Sequence, residues 1–217
     1  MVSVLGKPIL QHTLEGIKNA GIKDVIIRVS EDGIIKNYFK DGSSLGLNIS
    51  YIEQKESLGM GDVLLKAENM LDDDFIFIAG NHVNSENIIK ELNSDKDGHD
   101  AVILVKEREN TWNYGIAEVE DGKLVSVVEK PEKGKEPSNL GIVSAFLLPK
   151  EIIEYVKKEE LSEFNFEEKV LSSFAKEHRV KVVETKNEIL TLKYRDWETV
   201  SQSRYRGWET LRDWETS

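Results

Sequence analysis

The chain has 217 residues, 39% of them apolar and 32% charged, and it carries a formal net charge of -11 with no cysteine. A chain of this length is expected to bury roughly 70% of its unfolded surface, which calls for a sizeable core, while the negative balance excludes sequence-independent binding to nucleic acid or to an anionic membrane, both of which need a dense basic face. The missing cysteines remove disulfides, a thiolate nucleophile and cysteine-ligated zinc; with no basic-then-apolar leader and no run of about 18 apolar residues, the expected setting is cytoplasmic.

Helix and strand alternate from residue 8 to about residue 110. Pro8 suits a first helical turn, and Leu10, Leu14 and Ile17 recur at helical spacing until Gly21 stops the run. Val25-Ile26-Ile27 is a short β-branched run within residues 24–30 and reads as a buried parallel strand. Residues 31–39 read as helix, 47–52 as strand, 61–71 as helix, 75–79 as strand, 85–92 as helix and 101–105 as strand. This is the alternation of a doubly wound α/β sheet.

The pattern then changes. Asp121-Gly122 is a strong two-residue hairpin signal, and it joins extended segments at 115–120 and 123–129 into an antiparallel excursion. An extended segment at 145–148, helices near 150–158 and 166–177, and strands near 180–184 and 189–193 complete a domain of residues 1–193. Residues 194–217 differ: near-copies of one five-residue unit centred on Trp197, Trp208 and Trp214 follow one another, and arginine replaces the lysine used elsewhere. So abrupt a shift reads as a segment of different origin, with an amphipathic interaction tail as the alternative.

Four short motifs stand in order: Leu5-Gly6-Lys7-Pro8, Gln54 ahead of Leu58-Gly59, Ala79-Gly80-Asn81-His82, and Glu129-Lys130-Pro131 preceded by Tyr114-Gly115. Each is ordinary alone. Gly-Lys-Pro occurs at loop-to-helix junctions, Gln54 could be a solvated loop residue, and Glu129-Lys130 could be a surface pair closing a strand. Their placement argues otherwise. Gln54 precedes a glycine-rich turn and a helix, and Asn81 follows the carboxyl end of a strand, where open α/β sheets bind ligands.

Together the motifs resemble the sugar-1-phosphate nucleotidylyltransferases, which join a nucleoside triphosphate to a sugar 1-phosphate and release pyrophosphate. The resemblance implies an α/β fold: a three-layer, Rossmann-like nucleotide-diphospho-sugar transferase domain whose mixed sheet carries an inserted antiparallel β element. It gives Gln54 the edge of a pyrimidine base and Gly59 a close backbone approach. It places Tyr114 and Gly115 beside the sugar ring, Glu129 on sugar hydroxyls and Lys130 on the sugar phosphate.

The family holds Mg²⁺ with an aspartate where this chain has Asn81, so the resemblance implies a weakened metal site. A second metal aspartate would fall at about Thr191 by spacing, and Asp196 is not given that role. Met60, Gly61 and Ser144 stand where the family commonly has threonine, alanine and glycine. His82 is expected to cap the following turn. The family's first strand, glycine-rich loop, arginine and lysine precede the point where Met1 stands, so a longer reading frame is expected and no catalytic set is intact here.

The implied reaction uses UTP or dTTP with a hexose 1-phosphate, and this chain by itself is expected to be close to inactive. A non-catalytic nucleotide-sugar-binding or regulatory paralogue is the alternative, and an unrelated α/β domain a third. A missing central strand would leave its neighbours unpaired, so either the tail fills the gap or the chain forms a homo-oligomer.

Overall fold

A two-residue hairpin opens the computed structural model, which describes residues 3–55, 58–71, 73–94, 98–159 and 166–189. Thr191, most of the strand expected at 189–193 and the tail at 194–217 lie outside the described residues. The hairpin joins β1 (Ser3–Val4) to β2 (Lys7–Pro8), and Pro8 leads into α1 (Ile9–Asn19), which buries Leu14 and Ile17 as their spacing requires. Gly21 leaves the helix at φ +91°, a left-handed exit that glycine adopts without a Cβ penalty. β3 (Asp24–Val29), α2 (Ile34–Phe39), β4 (Asn48–Glu53), α3 (Gly59–Ala67), β5 (Phe75–Ile78), α4 (Ser85–Ser94) and β6 (Ala101–Glu107) then alternate as the sequence indicates.

The hairpin of β7 (Gly115–Glu120) and β8 (Lys123–Glu129) turns through Asp121 at φ +49° and Gly122 at φ +74°, two positive dihedrals whose twist matches that of the strands. β9 (Leu140–Leu148) starts five residues earlier than expected, because Gly141 and Ser144 interrupt the apolar run that marks its second half. α5 (Ile152–Val156), a π-helical turn over Phe166–Leu171, α6 (Ser172–Glu177) and β10 (Val180–Glu184) complete the described chain.

Six strands form one mixed sheet in the order β5-β9-β6-β10-β8-β7, with a further β9–β7 contact. β10 runs parallel to β6, whereas β9 is antiparallel to both β5 and β6. β3 and β4 pair with each other in parallel and form a sheet of their own. One doubly wound sheet is thus divided in two between β3 and β5.

Burial explains why the two sheets nevertheless form one body. Along β6, Ala101, Ile103 and Val105 enter a cluster with α5, α6 and the π-helical turn, while Val102 and Leu104 enter another with Ile88 and Leu92 of α4. Both faces of the sheet are therefore covered, which is the three-layer arrangement. Phe77, Phe146 and Phe166 meet at ring separations of 6.0 to 6.3 Å inside the first layer. A third cluster joins Leu14 and Ile17 of α1, Ile27 and Val29 of β3 and Ile89 of α4, with Ile76 and Ile78 of β5 packed on it. β3 and β5 thus share a core without sharing a hydrogen-bond ladder.

Candidate functional site

Strand direction brings the polar motifs to one end of the six-stranded sheet. β5 and β6 are both antiparallel to β9 and hence parallel to each other, and past their carboxyl ends lie the Asn81 turn and the Tyr114-Gly115 segment. Gly115 sits opposite Glu129 in the β7–β8 register, and Ile116 sits opposite Gly141 near the amino end of β9. Ligands of open α/β sheets collect at such a rim.

Gln54 follows β4 and is only 3% exposed. Its Oε1 accepts from Arg28 Nε at 2.8 Å, and its Nε2 donates to Asp62 Oδ2 at 2.8 Å and to the Gly59 carbonyl at 3.3 Å. The amide edge expected to meet a base is therefore turned inward, where it ties β3, β4 and the start of α3 together. Burial pushes the Asp62 carboxyl up, but hydrogen bonds from Lys66 and Gln54 outweigh it and hold the group below its ordinary value. Gly59 has φ +75°, a left-handed conformation in which a side chain would be strained.

After β5, Ala79 N–H donates to the Ser144 carbonyl at 3.0 Å, and Thr13 Oγ1 of α1 donates to the carbonyls of Gly80 and His82 at 3.1 and 3.0 Å. These bonds fix the turn that carries Asn81. Oδ1 of Asn81 is buried with no hydrogen-bond partner among the described residues, although the residue takes part in another interaction. An amide oxygen can join a Mg²⁺ shell, but such sites are anchored by one or two carboxylates. Among the described residues no three acidic, histidine or cysteine side chains gather.

His82 does not cap the next turn as expected. Its ring is 2% exposed, and neither nitrogen reaches hydrogen-bonding geometry with a partner among the described residues. Burial pushes it down to about 4, offset only in part by the Ser144 backbone.

The sugar-side motif is gathered more closely. Lys130 N–H donates to the Tyr114 carbonyl at 3.0 Å, closing the open end of the β7–β8 hairpin. Lys130 adopts φ +45°, and its Nζ lies 3.3 Å from Glu129 Oε1. Arg108 stacks its guanidinium over the Tyr114 ring at 4.5 Å. A Cβ on Gly115 would lie 3.0 Å from Glu129 Oε2 and 3.0 Å from Glu167 Oε2, so any side chain there would crowd both carboxylates.

Glu167, Arg28 and Asp62 were not legible as partners of these motifs. Arg28 is detectable as the one charged residue inside the apolar run of β3. Glu167 carries no comparable signal, since a Glu-Glu pair near a helix start is an ordinary sequence. Two open grooves of about 360 and 330 Å³ lie off the rim, one lined by Lys7, Glu15 and Lys18 and the other by Lys123, Lys176 and Arg179. Neither includes a motif residue from the rim, and the chemistry favours the rim, where the polar motifs converge.

The nucleotidyl transferase family profile matches residues 1–210. Glucose-1-phosphate thymidylyltransferase of Streptomyces antibioticus is 35% identical over 162 residues, which cover 72% of this chain and 45% of that protein. The low-salt glycan biosynthesis nucleotidyltransferase of Haloferax volcanii is 30% identical over 167 residues, covering 75% of this chain and 46% of its own. The chain thus spans under half the length of each of these two relatives. UDP-glucose pyrophosphorylase from Acinetobacter baumanii superposes with a TM-score of 0.70 over 87% of this chain and 78% of that one, at 21% identity, a likeness of fold. With a profile match across nearly its whole length, the chain belongs to the nucleotidyl transferase family.

Proposed function

We propose that residues 1–193 form the nucleotide-sugar-handling part of a sugar-1-phosphate nucleotidyltransferase. In that reaction a phosphate oxygen of a hexose 1-phosphate bonds to the α-phosphorus of UTP or dTTP, the bond to the β-phosphate breaks, and pyrophosphate leaves. The observation that carries the reading is the pairing of Gly115 with Glu129 at the ligand end of the sheet, with Lys130 next in sequence. A carboxylate that accepts from hydroxyls, a lysine beside it for the phosphate and a side-chain-free strand between them suit a sugar phosphate.

The sugar phosphate is already a nucleophile, so positioning matters more than deprotonation. On the base side, Gly59 offers close backbone approach, and Gln54 can meet a pyrimidine only by exchanging its bonds to Asp62 or Arg28. Mg²⁺ belongs to the reaction by family, yet Asn81 brings an uncharged oxygen to it. That substitution favours a second reading, in which the chain binds nucleotide sugars and regulates or scaffolds without turnover. Neither reading involves nucleic acid or a membrane, and no helix among the described residues is long and apolar enough to cross one.

Pyrophosphate release, measured with Mg²⁺, UTP or dTTP and glucose 1-phosphate, tests the reading together with titration of UDP-glucose and dTDP-glucose. Binding of a nucleotide sugar with turnover far below the usual 1–10³ s⁻¹, roughly the span of ordinary enzymes, is the expected result. Turnover within that span overturns the expectation of inactivity. Absence of nucleotide-sugar binding overturns the site.

A further inference from the structure

The π-helical turn at Phe166–Leu171 has a job that explains its shape. β10 pairs with β8 at a single position, Lys181 with Lys123, so among the described residues no strand lies on that side of the distal half of β8. The helical segment takes the place of one: Val127 N–H donates to Ser172 Oγ at 2.9 Å and Glu129 N–H to Glu168 Oε1 at 3.4 Å. Covering the edge this way holds the segment at fixed height over the strand pair. From this segment Glu167, next to the edge-capping Glu168, reaches back across β8 to Gly115 of β7. Its Oε2 reaches 3.0 Å from the position of a Gly115 Cβ, the same distance as Glu129 Oε2.

We infer that Glu167 is a specificity-determining residue of the sugar site, acting with Glu129 to hold two neighbouring hydroxyl groups of a neutral hexose. This rests on the nucleotide-sugar function proposed for the same rim. Two oxygens each 3.0 Å from one point are at most twice that distance, 6.0 Å, apart. Ionised carboxylates only accept hydrogen bonds, so a ligand held between them supplies the donors, and the bound on their separation suits donors on neighbouring atoms. A pair of ring hydroxyls on neighbouring carbons does so, each donating at roughly 2.7 Å to its own carboxylate. A uronic acid would set a third negative charge against two, and Lys130 is already shared with Glu129. The arrangement therefore selects by repulsion as well as by attraction.

Calorimetry at neutral pH on the full chain, with UDP, UDP-glucose and UDP-glucuronate, tests the assignment against Glu167→Gln. The unchanged chain is expected to bind UDP-glucose at least tenfold more tightly than UDP, and UDP-glucuronate no better than UDP. Glu167→Gln is expected to lose about tenfold for UDP-glucose while UDP is unchanged, the scale of one charged hydrogen bond. An unchanged UDP-glucose affinity overturns the assignment, and so does an equal loss for UDP, which marks a structural role. Should Glu167→Gln fail to fold, the unchanged chain still decides, since equal affinities for UDP-glucose and UDP-glucuronate overturn it. A chain that binds none of the three nucleotides overturns the function of the rim itself, an outcome distinct from a loss confined to the sugar.

Discussion

His82 is a weak point that the fold tolerates only at neutral pH. Its imidazole is buried and held down to about 4, against 6.5 in an open chain. Above 6.5 the ring is neutral in both states and contributes nothing to the pH dependence. Between about 6.5 and 4 the unfolded chain takes up a proton that the folded one refuses, so stability falls as the pH falls. The full effect is about 3 kcal/mol, reached below the folded value. Asp62 and Glu15, whose carboxyls are held low, also lose stabilisation in acid, but mainly below the ordinary carboxylate range. Comparison with His82→Gln separates the two. Urea midpoints taken at pH 7 and pH 4.5 should show a loss about 2 kcal/mol larger in the unchanged chain. Equal losses in the two proteins would mean that His82 is not buried as a neutral ring.

Helix α1 carries its own structural signal in Gly16. In sequence this is a glycine inside a helix, which costs about 1 kcal/mol relative to alanine and has no stated purpose. In the fold it is the contact point with α4: a Cβ would lie 2.1 Å from Ser85 Oγ and 2.8 Å from the Glu86 backbone nitrogen. Ser85 Oγ is itself committed, donating to the Thr13 carbonyl at 2.8 Å. Gly16→Ala therefore gains helix propensity and loses more by separating the helices, for a net cost of about 1–3 kcal/mol. Thermal melts should fall by roughly 2–4 °C for each kcal/mol. Adding Ser85→Gly should return part of the loss, because the Glu86 backbone still obstructs. An alanine variant as stable as the parent would show that the two helices sit further apart.

The same element scale shows what was readable in advance. α1, β6 and the β7–β8 hairpin were legible because each is set by its own residues: a helical apolar period, an unbroken apolar run, and Asp121-Gly122. The early start of β9 was hidden because Gly141 and Ser144 have poor strand propensity; Gly141 is held by pairing with β6 and β7, and the Ser144 carbonyl by the Ala79 N–H. At the rim, the positions of Gly115 and Glu129 were legible, since a hairpin fixes its own register. Gln54 was placed correctly in the chain but not in orientation. Its inward amide depends on Arg28 and Asp62, which lie on other elements and become its partners only once the chain has folded.

At the scale of the whole molecule the central question is what the division between β3 and β5 does to stability. Ile27 and Val29 are 8% and 3% exposed, so these apolar side chains of β3 are covered, yet among the described residues its backbone is paired on one side only, with β4. Among the described residues β5 is likewise paired only with β9, and all four of its side chains are half-buried. β6, in contrast, is paired on both sides, and Ala101 through Val105 have no exposure at all. Covered side chains with an open backbone edge make a region whose local opening requires less than global unfolding. Hydrogen exchange should find β6 exchanging only on global unfolding. The amides of β3 and β5 that face away from their single partners should exchange roughly tenfold to a hundredfold faster. Raising the protein concentration discriminates further, because an unpaired edge is a template for a second copy of the chain. Protection of β3 and β5 that equals that of β6 and grows with concentration would establish pairing between copies. Equal protection independent of concentration would mean that a segment of the same chain closes the division, and the two sheets would then be one.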